Sequence, residues 1–174
     1  MIFSEINAEY SDCIKQEWGD QIERLGDRLN VSYYNMLIEH LDKHSKLPAK
    51  ADERLYVVAD NNNVLAFLSI VHAMPKSKDS WLKVLDVNIC PSLDAGNDTP
   101  EKASLLLQVV TFAVLNSLKL TFQHHSTSII KFYIKSNVVL NFCDMLAEKL
   151  QQEIEELTVN KYSNWIEFEL KAGE

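Results

Sequence analysis

Three apolar, β-branched runs crowd the middle of the chain, at 55–59, 64–71 and 81–89, and the first two are separated only by Asp60, Asn61, Asn62 and Asn63. Short polar residues of this kind tolerate left-handed backbone angles, so the spacing predicts a hairpin. The third run alternates Val84, Asp86 and Asn88 with Leu85, Val87 and Ile89 and stops at Pro91. It reads as a further antiparallel strand. A sheet of this kind has to be covered by elements supplied from either side in the sequence.

Those elements are legible. Ile2, Phe3 and Ile6 make a short opening strand, and Asn7 can cap a helix by accepting an orphan backbone N–H. Tyr10, Ile14, Trp18, Ile22, Leu25 and Leu29 recur at three- and four-residue spacing, with an interruption near Gly26. A second helix starting at Ser32 turns Leu37, Ile38 and Leu41 inward and ends before Pro48. After the strands, 92–99 is polar and turn-rich. Thr99, Pro100 and Glu101 give the order of cap, proline and acid that opens a helix. That helix is apolar on most of its surface through Leu120, which predicts cover on more than one side. A strand at 128–134, a helix at 137–157 and a closing strand or strand pair ending with 165–170 complete an α/β chain.

The 174 residues suit one domain, 1–174, built on a single core. The net charge of -8 and the scatter of the 17 basic residues leave no block to neutralise a row of phosphates, so nucleic acid is not an expected partner. Glu5, Glu9 and Asp12 stand where a secretory signal would be basic and then apolar, which predicts a cytoplasmic protein. The most apolar stretch, 105–115, contains Gln108 and is shorter than the roughly 20 residues that cross a bilayer. No membrane partner is expected. Cys13, Cys90 and Cys143 are odd in number and far apart, the pattern of reduced thiols and not of a disulfide framework or metal site.

Several segments carry a family resemblance. The run from Val58 through Asp60, Asn61, Asn62 and Asn63 to Phe67 resembles the hairpin of the GNAT acyltransferases, with Ala66 where the family often has glycine. Ile89, Cys90 and Pro91 are similar to its Val-x-Pro. The segment 130–147 resembles its later strand and helix, with Cys143 at the common tyrosine position and Ala147 at a glycine position. The order of elements is also that of the family. The resemblance implies a mixed, mostly antiparallel sheet with a splayed parallel central strand pair, flanked by helices.

It further implies acetyl coenzyme A in the gap between that pair, here 85–90 and 128–134. Unpaired strand groups, at Val87 and Ile89, and Asn137 at the next helix start would meet the pantetheine. The free N–H groups of a helix start would hold the pyrophosphate. For the phosphate loop the family uses Gln/Arg-x-x-Gly-x-Gly/Ala. Aligned on the helix at Ala103, this places Asn97 at the first position, Pro100 at the first glycine and Lys102 at the last small residue. Pro100 removes an N–H, and Asp94, Asp98 and Glu101 each oppose an anion by about 1 kcal/mol if screened by water. Gly96 and Asn97, in another register, and Lys102 are the remaining phosphate candidates. The simpler expectation for 99–102 is a good helix cap.

Acyl transfer to an amine needs a base for the attacking nitrogen and an acid for the departing thiolate. Asp86 is the leading base, with an aspartate on a solvated face or paired with Lys83 as the plainer reading. Cys143 holds the acid position by resemblance, against a small buried core residue. His72 is a weaker base candidate, and His124 and His125 suit a helix end. Tyr33, Tyr34, Tyr162 and Trp165 would border the acceptor, a small-molecule or peptide amine. Two functions follow. One is an acetyl-CoA-dependent N-acyltransferase. The other is a GNAT-like binding, regulatory or self-associating module, for instance a homodimer, that no longer binds coenzyme A.

Overall fold

The computed structural model describes residues 1–46, 52–61, 63–95, 99–124, 127–134 and 137–171. Its elements are β1 (Ile2–Glu5), α1 (Ala8–Leu25), α2 (Val31–Lys46), β2 (Glu53–Asp60), β3 (Asn63–Ala73) and β4 (Trp81–Ile89). They continue with α3 (Pro91–Asp94), α4 (Pro100–His124), β5 (Ile129–Tyr133), α5 (Asn137–Glu153), β6 (Leu157–Tyr162) and β7 (Trp165–Leu170). Seven strands form one mostly antiparallel sheet in the order β1-β2-β3-β4-β5-β7-β6, and β4 with β5 is its parallel pair.

Local chemistry accounts for the boundaries. Asn7 Oδ1 accepts the Tyr10 N–H at 2.9 Å, which starts α1 as the sequence predicts. At its other end Gly26 takes φ 49°, a left-handed angle that costs a residue with a Cβ, and its N–H closes on the Ile22 carbonyl. Asn61 adopts φ 47° in the predicted hairpin turn. The closing strand is a hairpin, with Ser163 at φ 54° between β6 and β7. The short helix α3 falls in the segment that composition marks only as turn-rich.

The chain divides into two compact units, Met1–Phe67 with Asn88–Val109, and Leu68–Val87 with Val110–Glu174. In the first, Ile14, Trp18, Tyr34, Leu41, Val57, Val64 and Phe67 are fully or almost fully buried in one cluster. Trp18 is its anchor: the ring meets Phe67 at 5.3 Å and its indole N–H donates to the Val64 carbonyl at 3.0 Å, so the one polar atom of a large buried side chain is satisfied. In the second, Leu82, Val84, Ile130, Phe132, Ile166 and Phe168 are buried, with Phe132 and Phe168 edge to face at 5.6 Å.

Helix α4 departs from expectation. By length and composition its stretch Pro100–Thr121 is apolar enough to cross a membrane, yet only 33% of it is buried. Val109, Val110, Ala113, Val114 and Leu118 face inward, while Leu107 and Leu115 stay exposed. One stripe is covered, not several sides.

Candidate functional site

The parallel pair parts early. Leu82 pairs with Ile130, Lys83 with Lys131 and Val84 with Phe132, and the described register ends there although β4 runs on to Ile89. On its other edge β5 stays joined to β7 as far as Tyr133 with Trp165, and the Ile134 N–H donates to the Asn164 carbonyl at 2.9 Å. Backbone groups of successive strand residues point to opposite sides. Since Ile134 faces β7, the Tyr133 N–H and C=O face β4; the register of Val84 with Phe132 uses that N–H, and the Tyr133 carbonyl is the group at the parting.

Parity shifts along β4. In the paired stretch Leu82 and Val84 face β5, because the odd-numbered residues of β5 face β4, whereas the Cys90 N–H donates to the Leu65 carbonyl on β3 and so turns the Ile89 backbone groups away from β3. The Val87 N–H is accepted by Asp86 Oδ1 at 3.0 Å. The Tyr34 hydroxyl lies 3.1 Å from the Ile89 carbonyl. Two groups that a paired strand would have used are thus occupied by side chains.

This is a GNAT-like fold. The strand order and a parallel pair that parts past Val84 are what the sequence resemblance implies. No protein-family model matches the chain, and no curated protein matches it in sequence. Among solved structures it is similar to PseH, an N-acetyltransferase of Campylobacter jejuni in complex with acetyl coenzyme A, at 12% identity over 99% of this chain and 100% of that one, with a TM-score of 0.45. It is also similar to the aminoglycoside 6'-N-acetyltransferase of Enterococcus faecium, at 10% identity over 100% and 99%, TM-score 0.44. A third is the PaiA N-acetyltransferase of Thermoplasma acidophilum in complex with coenzyme A, at 8% identity over 98% of each chain, TM-score 0.41.

Within the first unit several sequence candidates of the GNAT-like fold converge on the end of β4. Tyr34 is fully buried, and its hydroxyl lies 2.6 Å from Asp94 Oδ2 on α3. Burial first, then the Asp94 carboxylate, drive its ionisation far above the ordinary tyrosine range. It stays a neutral hydroxyl. The Tyr33 hydroxyl donates to Asn88 Oδ1 at 2.8 Å, so both adjacent tyrosines of α2 clamp the strand end and neither is ordinary surface. Lys102 turns its Nζ to the Ser92 carbonyl at 3.2 Å, while Gln21 of α1 accepts the Ser92 N–H at 2.9 Å. Asn88, Asp94 and Gln21 join the candidates through contacts that no local pattern announces.

At the start of α4 the backbone donors can be counted. Pro100 has none, the Lys102 N–H goes to Thr99 Oγ1 at 3.4 Å and the Ala103 N–H to the Thr99 carbonyl at 3.1 Å. Among the described residues, the Glu101 N–H is the one left without a bond in this turn. The segment is the good cap expected from Thr99-Pro100-Glu101. Gly96, Asn97, Asp98 and His125 lie outside the described residues. So do the side chains of His124 and Asn137, the latter the first residue of α5.

In the second unit Asp86 and Val87 are neighbours on β4. Trp165 of β7 is half-buried, with its ring 5.0 Å from that of Tyr133 on β5, while Tyr162 pairs with Trp165 across the β6–β7 turn and is largely exposed. Tyr133 was not singled out by sequence. Its place two residues after Lys131, on the same face of β5, is the signal that could have found it. Cys143 is buried on α5, and burial with some help from Asp144 pushes its thiol up to about 12. A thiol so placed keeps its proton at neutral pH and is no nucleophile.

Proposed function

We propose that the chain is an acetyl-CoA-dependent N-acyltransferase that moves an acyl group to an amine by direct attack. The observation that carries this reading is the parting of β4 from β5 beyond Val84 and Phe132. A pantetheine arm carries amides spaced along an extended chain, and it can replace a missing strand by bonding edge groups such as the Tyr133 C=O. Asp86 lies on β4 just past its paired stretch, where a carboxylate can take a proton from the attacking nitrogen. Trp165, Tyr133 and Tyr162 supply aromatic surface suited to a cationic amine. Cys143 is assigned to the core and to no proton transfer. The protein works as a single cytoplasmic domain in this reading.

A second reading has its own support. With the Lys102 and Ala103 N–H groups bonded to Thr99 and none on Pro100, the start of α4 offers a pyrophosphate little beyond the Glu101 amide and the Lys102 ammonium. That favours a GNAT-like module that binds, regulates or self-associates without coenzyme A.

Isothermal titration separates the two. Micromolar binding of acetyl coenzyme A, abolished by free coenzyme A, supports the enzyme; no heat at millimolar ligand supports the module.

A further inference from the structure

A cleft of about 230 Å³ opens where α1 begins, between the end of β1, the last turns of α2 and the start of β2. Ile6, Leu41 and Leu55 give it an apolar wall, and the Ile6 N–H bonded to the Leu55 carbonyl at 2.8 Å closes that wall behind them. Ser11 also lines the cleft. This serine is 3% exposed, and its Oγ has no hydrogen-bond partner among the described residues. A buried hydroxyl left in this state is destabilising, and native proteins seldom keep one without a use. The usual internal remedy is a bond to the carbonyl four residues back. Here the Asn7 carbonyl accepts the Ser11 N–H at 3.0 Å, and the hydroxyl does not add the second bond that this oxygen could take.

The polar groups around Ser11 are mostly donors. Asn7 Oδ1 caps the Tyr10 N–H, which among the described residues leaves the Ala8 and Glu9 amides as the open pair of the helix start. The start of an 18-residue helix carries about half a positive charge. Arg54 meets Glu5 through one guanidinium nitrogen at 2.9 Å, which cancels both charges and keeps further N–H groups to offer. His44 adds an imidazole at the rim.

We propose that this cleft binds a small aliphatic carboxylate. The carboxylate would sit on the Ala8 and Glu9 amides and the Ser11 hydroxyl, with Arg54 beside it, and the hydrocarbon would lie on Ile6, Leu41 and Leu55. At roughly 30 Å³ per water, the cleft holds about eight waters, the bulk of a carboxylate of about six carbons. This site shares no residue with the proposed acyl-transfer site, and its test does not depend on that reading.

The test is an amide-resolved NMR titration of the full chain with hexanoate, with hexylamine and 1-hexanol as probes of charge and of the hydrocarbon alone. Hexanoate is expected to shift the Ala8, Glu9 and Ser11 amides saturably at millimolar concentration, with much weaker response to the other two. Ser11→Ala should weaken hexanoate by about three- to tenfold, the loss of one hydrogen bond. Arg54→Gln should weaken it by a similar factor. Shifts that do not saturate, an equal response to hexylamine, or unchanged affinity in both variants would overturn the proposal.

Discussion

The Tyr34 hydroxyl sits 2.6 Å from the Asp94 carboxylate, across 60 residues of sequence, and ties α2 to the short helix that follows β4. Because the tyrosine is fully buried, its loss cannot be made good by water. Tyr34→Phe is expected to lower stability by about 1.5–3 kcal/mol, the range for bonds to charged groups. Tyr33→Phe, at a half-buried site, should lose about 1 kcal/mol. Urea unfolding midpoints check both. Equal, negligible losses would mean that the strand end does not need this clamp.

Glu167 gives a pH signature. Burial pushes its carboxyl up, but the bonds to Lys131, whose Nζ is 2.7 Å away, and to Asn160 outweigh that and leave it below the ordinary value. A carboxyl lowered on folding adds stability above its unfolded pKa, and that contribution is lost as pH falls through the folded one. The stability gap between wild type and Glu167→Gln should therefore be open at pH 7 and close on acidification below the ordinary carboxylate range. Urea titrations at a series of pH values measure it.

The start of α4 can be rebuilt. Replacing Pro100 and Glu101 by glycine restores one N–H and removes one negative charge. Coenzyme A affinity should rise by about three- to tenfold, measured by titration calorimetry. Unchanged affinity would mean that the capped helix start does not limit cofactor binding.

Cys143→Ala separates core from chemistry. Acetyl transfer should be intact, with a stability loss of about 1 kcal/mol, ordinary for a core truncation. A large fall in turnover at unchanged stability would return the thiol to the mechanism.

Much of the fold was written in local pattern. The spacing of Ile14, Trp18 and Ile22 gave α1, Asp60 to Asn63 gave the hairpin, and the alternation up to Pro91 gave β4 with its ends. Helix α3 was missed because four residues, Pro91–Asp94, are too few to show a period. Asp94 was read as a charge repelling phosphate, since its partnership with Tyr34 spans two distant elements. The exposed stripe of Leu107 and Leu115 was missed for a related reason: composition reports how apolar a helix is, and only packing decides which stripe is covered. The parting of β4 from β5 came from resemblance, because β-branched residues such as Val87 and Ile134 suit paired and unpaired strands alike.

The open strand edge itself can be read with acetyl coenzyme A added to the isotope-labelled chain, following backbone amides of β4 and β5. The expected result is saturable shifts at Val87 and at Ile134, whose amide shares a peptide plane with the Tyr133 carbonyl, with Lys83 and Lys131, inside the paired stretch, unmoved. Saturating acetyl coenzyme A that leaves Val87 and Ile134 unshifted would contradict the account.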